Sequence, residues 1–101
     1  MKIIRWQAPI VPSKEQAQLI FENEDLDPFV ESLQIDEKTK EHRHPFAEVR
    51  IVIEGELFFN IAGHQILLRA GDRIEIPANT KHTHYAKGNS PALSLCAFRA
   101  Y

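Results

Sequence analysis

The chain reads as an all-β protein, a sandwich or barrel of many short strands with one short N-terminal helix. Three observations predict this. From Phe29 to Phe98, short runs rich in Val, Ile, Leu and Phe follow one another. Glycine punctuates them at Glu54-Gly55-Glu56, Ala62-Gly63-His64, Ala70-Gly71-Asp72 and Lys87-Gly88-Asn89, which is strand-and-turn chemistry. The one helical pattern lies ahead of Pro28, so it is segregated from the strands. Many short strands at such spacing stack as two sheets or close on themselves.

Taken in order, residues 1–12 form a short extended segment ending in a turn that contains Pro9 and Pro12. Residues 13–24 form the helix. Ser13 caps its first turn, and Gln16 stands three residues on, as a capping box requires. Ala17, Ile20 and Phe21, with Leu19 nearby, supply a narrow apolar side. Glu22, Glu24, Asp25 and Asp27 crowd its far end, where acidic charge opposes the helix dipole, and Pro28 ends it. Strands are predicted over 29–35, 39–44, 47–54, 56–62, 65–69, 72–76, 82–86 and 92–99. No repeat, linker or low-complexity tract interrupts them, so residues 1–101 make a single domain: 1–28 the extended segment and helix, 29–99 the strands.

The bulk properties narrow the function classes. With 101 residues, 44% hydrophobic and 26% charged, the chain has ordinary globular composition for one small core. Its net charge of −2 and lack of a basic cluster argue against nucleic acid. No apolar run approaches membrane-spanning length. Arg5 and Gln7 break the start before a signal-peptide core could form. The single cysteine, Cys96, cannot form an internal disulfide, and a reducing, cytoplasmic setting is expected.

The histidines carry the chemistry. His42 and His44 are two apart, so on a strand both point to one face and Arg43 to the other. Pro45 breaks that strand and Glu48 opens the next run. His82 follows the turn at Ile76-Pro77-Ala78-Asn79. Three imidazoles and one carboxylate form a mixed nitrogen and oxygen set suited to one divalent ion of Mn, Fe, Co, Ni, Cu or Zn. Such a set leaves coordination positions open for catalysis. A lone H-x-H pair is commonly just surface or core histidine; the larger pattern is what raises it to a metal site.

That pattern resembles the two motifs of the cupin family. The first is His42-x-His44, three residues, Glu48, six residues, Gly55; the second is Gly71, five residues, Pro77, and His82 five places further. The resemblance covers about residues 36–86. Three family positions differ: the glycine that often opens the first motif is Asp36, the inner glycine of the second is Asn79, and its closing asparagine is Ala86. Asn is the best substitute for Gly where φ is positive. The resemblance implies a cupin jelly-roll β-barrel of two antiparallel sheets, a metal near the wider mouth, and a homodimer, often made by edge or N-terminal strands. Residues 1–12 either serve that pairing or fold back on their own barrel.

Around the metal, alternation places Arg50, Val52 and Glu54 on the inner face with Glu48. Arg50 is either a catalytic-site anchor for a substrate carboxylate or enediolate, or a partner of Glu54 or Glu75 in an internal ion pair. Residues 48–55 look like the corresponding strand of acireductone dioxygenase, a metal-dependent cupin that cleaves an enediol with oxygen. His84 shares the face of His82. It is a candidate catalytic acid or base, an alternative ligand if the strand slips, or a hydrogen-bonded barrel histidine. His64, in a hairpin turn, faces solvent. Phe46, Phe59, Tyr85, Phe98 and Trp6 form either a pocket wall or core, and Cys96 is buried and inert.

Three functions fit. The first is a metal-dependent enzyme, dioxygenase-like, on a small anionic or oxygen-rich substrate, with isomerase or decarboxylase chemistry as variants. The second is a non-catalytic ligand-binding or sensory module, and the third a purely structural metal, for which a closed tetrahedral site is expected.

Overall fold

A computed structural model describes residues 1–100. The elements run β1 (Lys2–Ile4), α1 (Lys14–Asn23), β2 (Phe29–Leu33), β3 (Ala47–Glu54), β4 (Glu56–Ile61), β5 (His64–Arg69), β6 (Arg73–Ile76), β7 (His82–Lys87) and β8 (Ala92–Arg99). They form two antiparallel sheets, one ordered β1-β6-β3-β8-β2 and the other β5-β4-β7.

Strand alternation builds the interior. In β3, Glu48, Arg50 and Val52 face the other sheet while Val49, Ile51 and Ile53 face outward, yet all six are buried. The ladder partners follow the same rule: Glu48 pairs with Phe98 and Ile76, Arg50 with Cys96 and Ile74. Between the sheets lie Leu33, Val52, Leu57, Phe59, Ile61, Leu68, Ile74 and Ile76, among others. A second cluster covers the outer face of the larger sheet, where Ala17 and Phe21 of α1 pack on Val49, Ile51, Ile53, Leu95 and Ala97. Burial of both faces explains why β3 reads as an almost unbroken apolar run around its two charges.

The helix is capped as its sequence predicts: the Ser13 hydroxyl accepts from the Gln16 amide, and the Gln16 side chain accepts from the Ser13 amide. Its unfavourable acidic end is compensated from outside. Both guanidinium nitrogens of Arg73 reach Glu24 at 2.6 Å, and Arg99 reaches it at 2.8 Å, which clamps the helix end to β6 and β8.

The structure corrects three expectations. Residues 39–44 do not form a regular strand; only isolated bridges pair Lys38 with Tyr85 and His42 with His82. Pro45 lacks an amide donor, and the segment is held to β7 at two points. The Thr39 amide and hydroxyl donate to the His84 carbonyl while that hydroxyl accepts from the His84 amide, and His42 exchanges a backbone pair with His82. Glu54 leaves the inner face because the β3–β8 register shifts between Val52 and Glu54, and it is exposed. Arg50 pairs with neither Glu54 nor Glu75. Glu75 sits opposite outward-facing Val49 and bonds Arg73 and Arg99.

The N-terminal segment folds back on its own chain. Lys2–Ile4 pair with β6, and beyond them the Asp72 carboxylate accepts from the Trp6 amide at 2.9 Å and from Arg5 at 2.8 Å. Trp6 lies over Gly71, whose φ of +92° and lack of Cβ both matter: a Cβ there would stand 2.5 Å from the indole. Among the described residues no helix is long and apolar enough to cross a membrane.

Candidate metal centre

Four side chains converge between the sheets at one end. His42 and His44 come from the extended approach to β3, Glu48 from the second residue of β3, and His82 from the first residue of β7. Reciprocal backbone bonds between His42 and His82, at 3.0 and 2.9 Å, bring the two motifs side by side. One donor atom from each of the four lies within 4.8 Å of all the others. Glu48 Oε1 is 3.5 Å from His44 Nε2 and 3.4 Å from His82 Nε2.

Two of the rings are oriented by their other nitrogen. His42 Nδ1 is 2.7 Å from the Lys40 carbonyl and His82 Nδ1 is 2.9 Å from that of Thr80. A carbonyl only accepts, so each Nδ1 carries a proton and each Nε2 presents a lone pair to the centre. His82 Nε2 is buried without a hydrogen-bond partner. A buried polar atom left without a partner is costly, and an ion among these four donors satisfies it. The residues therefore fit a divalent transition metal.

The carboxylate is held from behind. Arg50, 2% exposed, donates from Nε and approaches with Nη2 to the same oxygen, Glu48 Oε2, at 3.1 and 3.0 Å. This leaves Oε1 turned toward the histidines. Arg50 Nη1 reaches Glu31 and Ser94 Oγ, both at 2.8 Å. Glu31 Oε1 also lies 2.7 Å from His84 Nε2. The His84 ring stacks on Phe59 at 4.8 Å. Arg50 and His84 thus lie beside the four-residue group, joined through Glu31, and it is His82 rather than His84 that belongs to it.

Charge follows this geometry. Burial works to raise the Glu48 carboxyl, but His82 and the Arg50 charge outweigh it and hold it down at about 2. Burial lowers His84, with Arg50 adding to the effect against the pull of Glu31. His44 is likewise lowered by burial, with His42 and His82 beside it, whereas at His82 burial is outweighed by Glu48, which raises it. Burial drives the Cys96 thiol up to about 12, consistent with an inert buried cysteine.

Glu31 was not singled out by the sequence, although a signal exists. Phe29, Glu31 and Leu33 alternate onto the inner face of β2, opposite Cys96, Ser94 and Ala92, and a carboxylate in the middle of such a set needs a buried partner. The aromatic candidates separate. Phe59 is core; Tyr85 lies on the outer face against Phe58 and Lys38; Trp6 sits over the Gly71 turn. Only Phe46 and Phe98 adjoin the centre, 5.1 and 5.2 Å from the His44 ring. His64 is exposed.

Residues 29–98 match the family described as Cupin domain. Solved structures agree. A cupin protein from Bacteroides fragilis is 27% identical with a TM-score of 0.66, over 72% of this chain and 64% of that one. A cupin-like protein from Thermotoga maritima is 21% identical with a TM-score of 0.69, over 90% and 66%. The DMSP lyase DddQ from Ruegeria pomeroyi is 25% identical with a TM-score of 0.67, over 73% of this chain but 38% of its own. The chain therefore spans less than two thirds of the length of each of these. No curated protein matches the sequence significantly. The chain belongs to the cupin family.

Proposed function

We propose that this cupin holds one divalent transition-metal ion through His42, His44, Glu48 and His82 and is a metal-dependent enzyme acting on a small, oxygen-rich substrate. The observation that carries this reading is the buried, unpartnered His82 Nε2 facing three further donors. Bound there, the ion would supply Lewis acidity or, for a redox-active metal, a place for oxygen activation. The protein's own residues do the rest. Glu48 and His82 are buried, whereas His42 and His44 are partly exposed, so substrate reaches the centre from the side of these two histidines. Arg50 keeps the Glu48 carboxylate in one orientation and places a positive charge behind it. His84, neutral and bonded to Glu31, is the group through which a proton could pass.

Dioxygenase chemistry is the finer reading, supported by the mixed nitrogen and oxygen ligand set. Pairing of two copies through the outer strands β1 or β2 belongs to the same reading, and sedimentation tests it. The experiment for the function is elemental analysis of protein purified without added metal, followed by oxygen-uptake assays on diketones, catechols, thiols and hydroxy acids. Uptake abolished by His82→Ala is the expected result. A bound metal inert toward every substrate, yet strongly stabilising, would sink the enzyme reading and leave a binding module or structural site.

A further inference from the structure

The rim of the metal centre combines two features that together describe its ligand. The first is an aromatic wall. Phe29 and Phe98 occupy inner-face register positions, opposite Cys96 and Glu48 respectively. Yet they are 44% and 39% exposed. Side chains that point inward and still meet solvent line an opening. Phe98 packs at 4.5 Å from Phe46 and 5.5 Å from Phe29. Phe46 stacks on the His44 ring with 7° between their planes. The wall is therefore continuous with His44, one of the two partly exposed members of the group.

The second feature is a charge that is already used. Arg50 is the arginine beside the ligands, and its guanidinium is shared between Glu48, Glu31 and Ser94. A ligand reaching the centre past His44 runs along these phenyl faces. An aromatic body is matched there, by ring stacking and by apolar burial.

We infer that the ligand is a planar molecule with a chelating pair of oxygens and an aromatic or similarly apolar body, the oxygens at the metal and the body on Phe29, Phe46 and Phe98. This rests on the metal reading above and goes on to name the substrate class.

The test uses the full chain loaded with cobalt(II), its stoichiometry measured first, and two chelators with the same head: acetohydroxamate and benzohydroxamate. Oxalate serves as the small dianion. Visible absorption of the cobalt reports binding without any need for turnover. After correction for their affinities for free cobalt, benzohydroxamate is expected to bind about ten-fold or more tighter than acetohydroxamate, and oxalate weakest. Phe98→Ala and Phe29→Ala are each expected to shrink the ratio while cobalt still binds. The second variant carries the test if the first loses the metal. Equal affinities for the two hydroxamates, or a preference for oxalate, would overturn the inference alone. So would a Phe98→Ala variant that turns a dimer into a monomer with the ratio unchanged, because the wall would then be a subunit interface. Failure to bind cobalt at all would overturn the metal reading, and this inference with it.

Discussion

Arg50 shows how one side chain ties the centre to the rest of the barrel. Its planar fork meets Glu48 on one edge and Glu31 on the other, a span that the single ammonium of lysine cannot reproduce. Arg50→Lys is therefore expected to keep the fold but to free the Glu48 carboxylate, lowering metal affinity by about 10- to 100-fold, as loss of a group that orients a ligand usually does. Competition against a chromophoric chelator measures the affinity, and far-UV circular dichroism checks the fold. Unchanged affinity would mean that Glu48 is held by the histidines alone. The four residues that converge, His42, His44, Glu48 and His82, were legible because spacing within each of the two motifs is local. Glu31 was not, since its partners lie far along the chain and only the completed β2–β8 ladder brings them together. Asn79 was read correctly: it adopts a φ of 60° where the family favours glycine, with its amide bonded to the His44 carbonyl at 2.6 Å. Asn79→Ala should cost about 1–2 kcal/mol in a denaturant titration, whereas Asn79→Gly should cost much less.

At the scale of elements, α1 matters because it covers the outer face of the strand that carries Glu48 and Arg50. Phe21 is fully buried on Val49, Ile51 and Leu95. Phe21→Ala should destabilise the protein by about 3–5 kcal/mol. Ser13→Ala, which removes one half of the capping box, should cost about 1 kcal/mol. Urea unfolding separates the two, and a Phe21→Ala cost as small as that of Ser13→Ala would show that the helix docks loosely. The helix was readable from its cap and from Pro28, both local signals. The strands were readable from apolar runs bounded by glycine. The exception, residues 39–44, followed the extended pattern without earning a ladder: the Thr39 amide donates to the His84 carbonyl, but the His84 amide goes to the Thr39 hydroxyl. That use of a side chain for half of a backbone pair depends on a neighbour met only in three dimensions.

For the whole molecule, acid and metal act at different places, so their effects can be separated. Glu24 lies at the helix end, away from the centre. Hydrogen bonds from Arg73, together with the charges of Arg73 and Arg99, outweigh partial burial and hold its carboxyl below the ordinary 4.5. Asp72 is also lowered: burial opposes this, but the Arg69 and Trp6 amides and Arg5 outweigh it. For a carboxyl whose folded pKa is depressed, the unfolded chain binds the proton first. The stability is therefore present above about pH 4.5 and is lost as pH falls through the folded value. Melting of the metal-free protein should drop steeply below that region, with a shallower drop in Glu24→Gln. Metal adds an increment that is lost in the same direction but at higher pH. Its ligands must be neutral imidazoles and a carboxylate, so protons compete with it through the histidine range near pH 6.5. At a free ion concentration about 100-fold above Kd, binding adds about 2.7 kcal/mol. For a domain of this size that is roughly 10–20 °C in Tm. The difference in Tm between loaded and chelator-treated protein should be full at pH 8, shrink near pH 6 and vanish by about pH 5, above the acid limb set by the carboxylates. Paired thermal scans across that range check it. A metal increment that persists to pH 4.5 would place the ion on carboxylates and remove the three histidines from its shell.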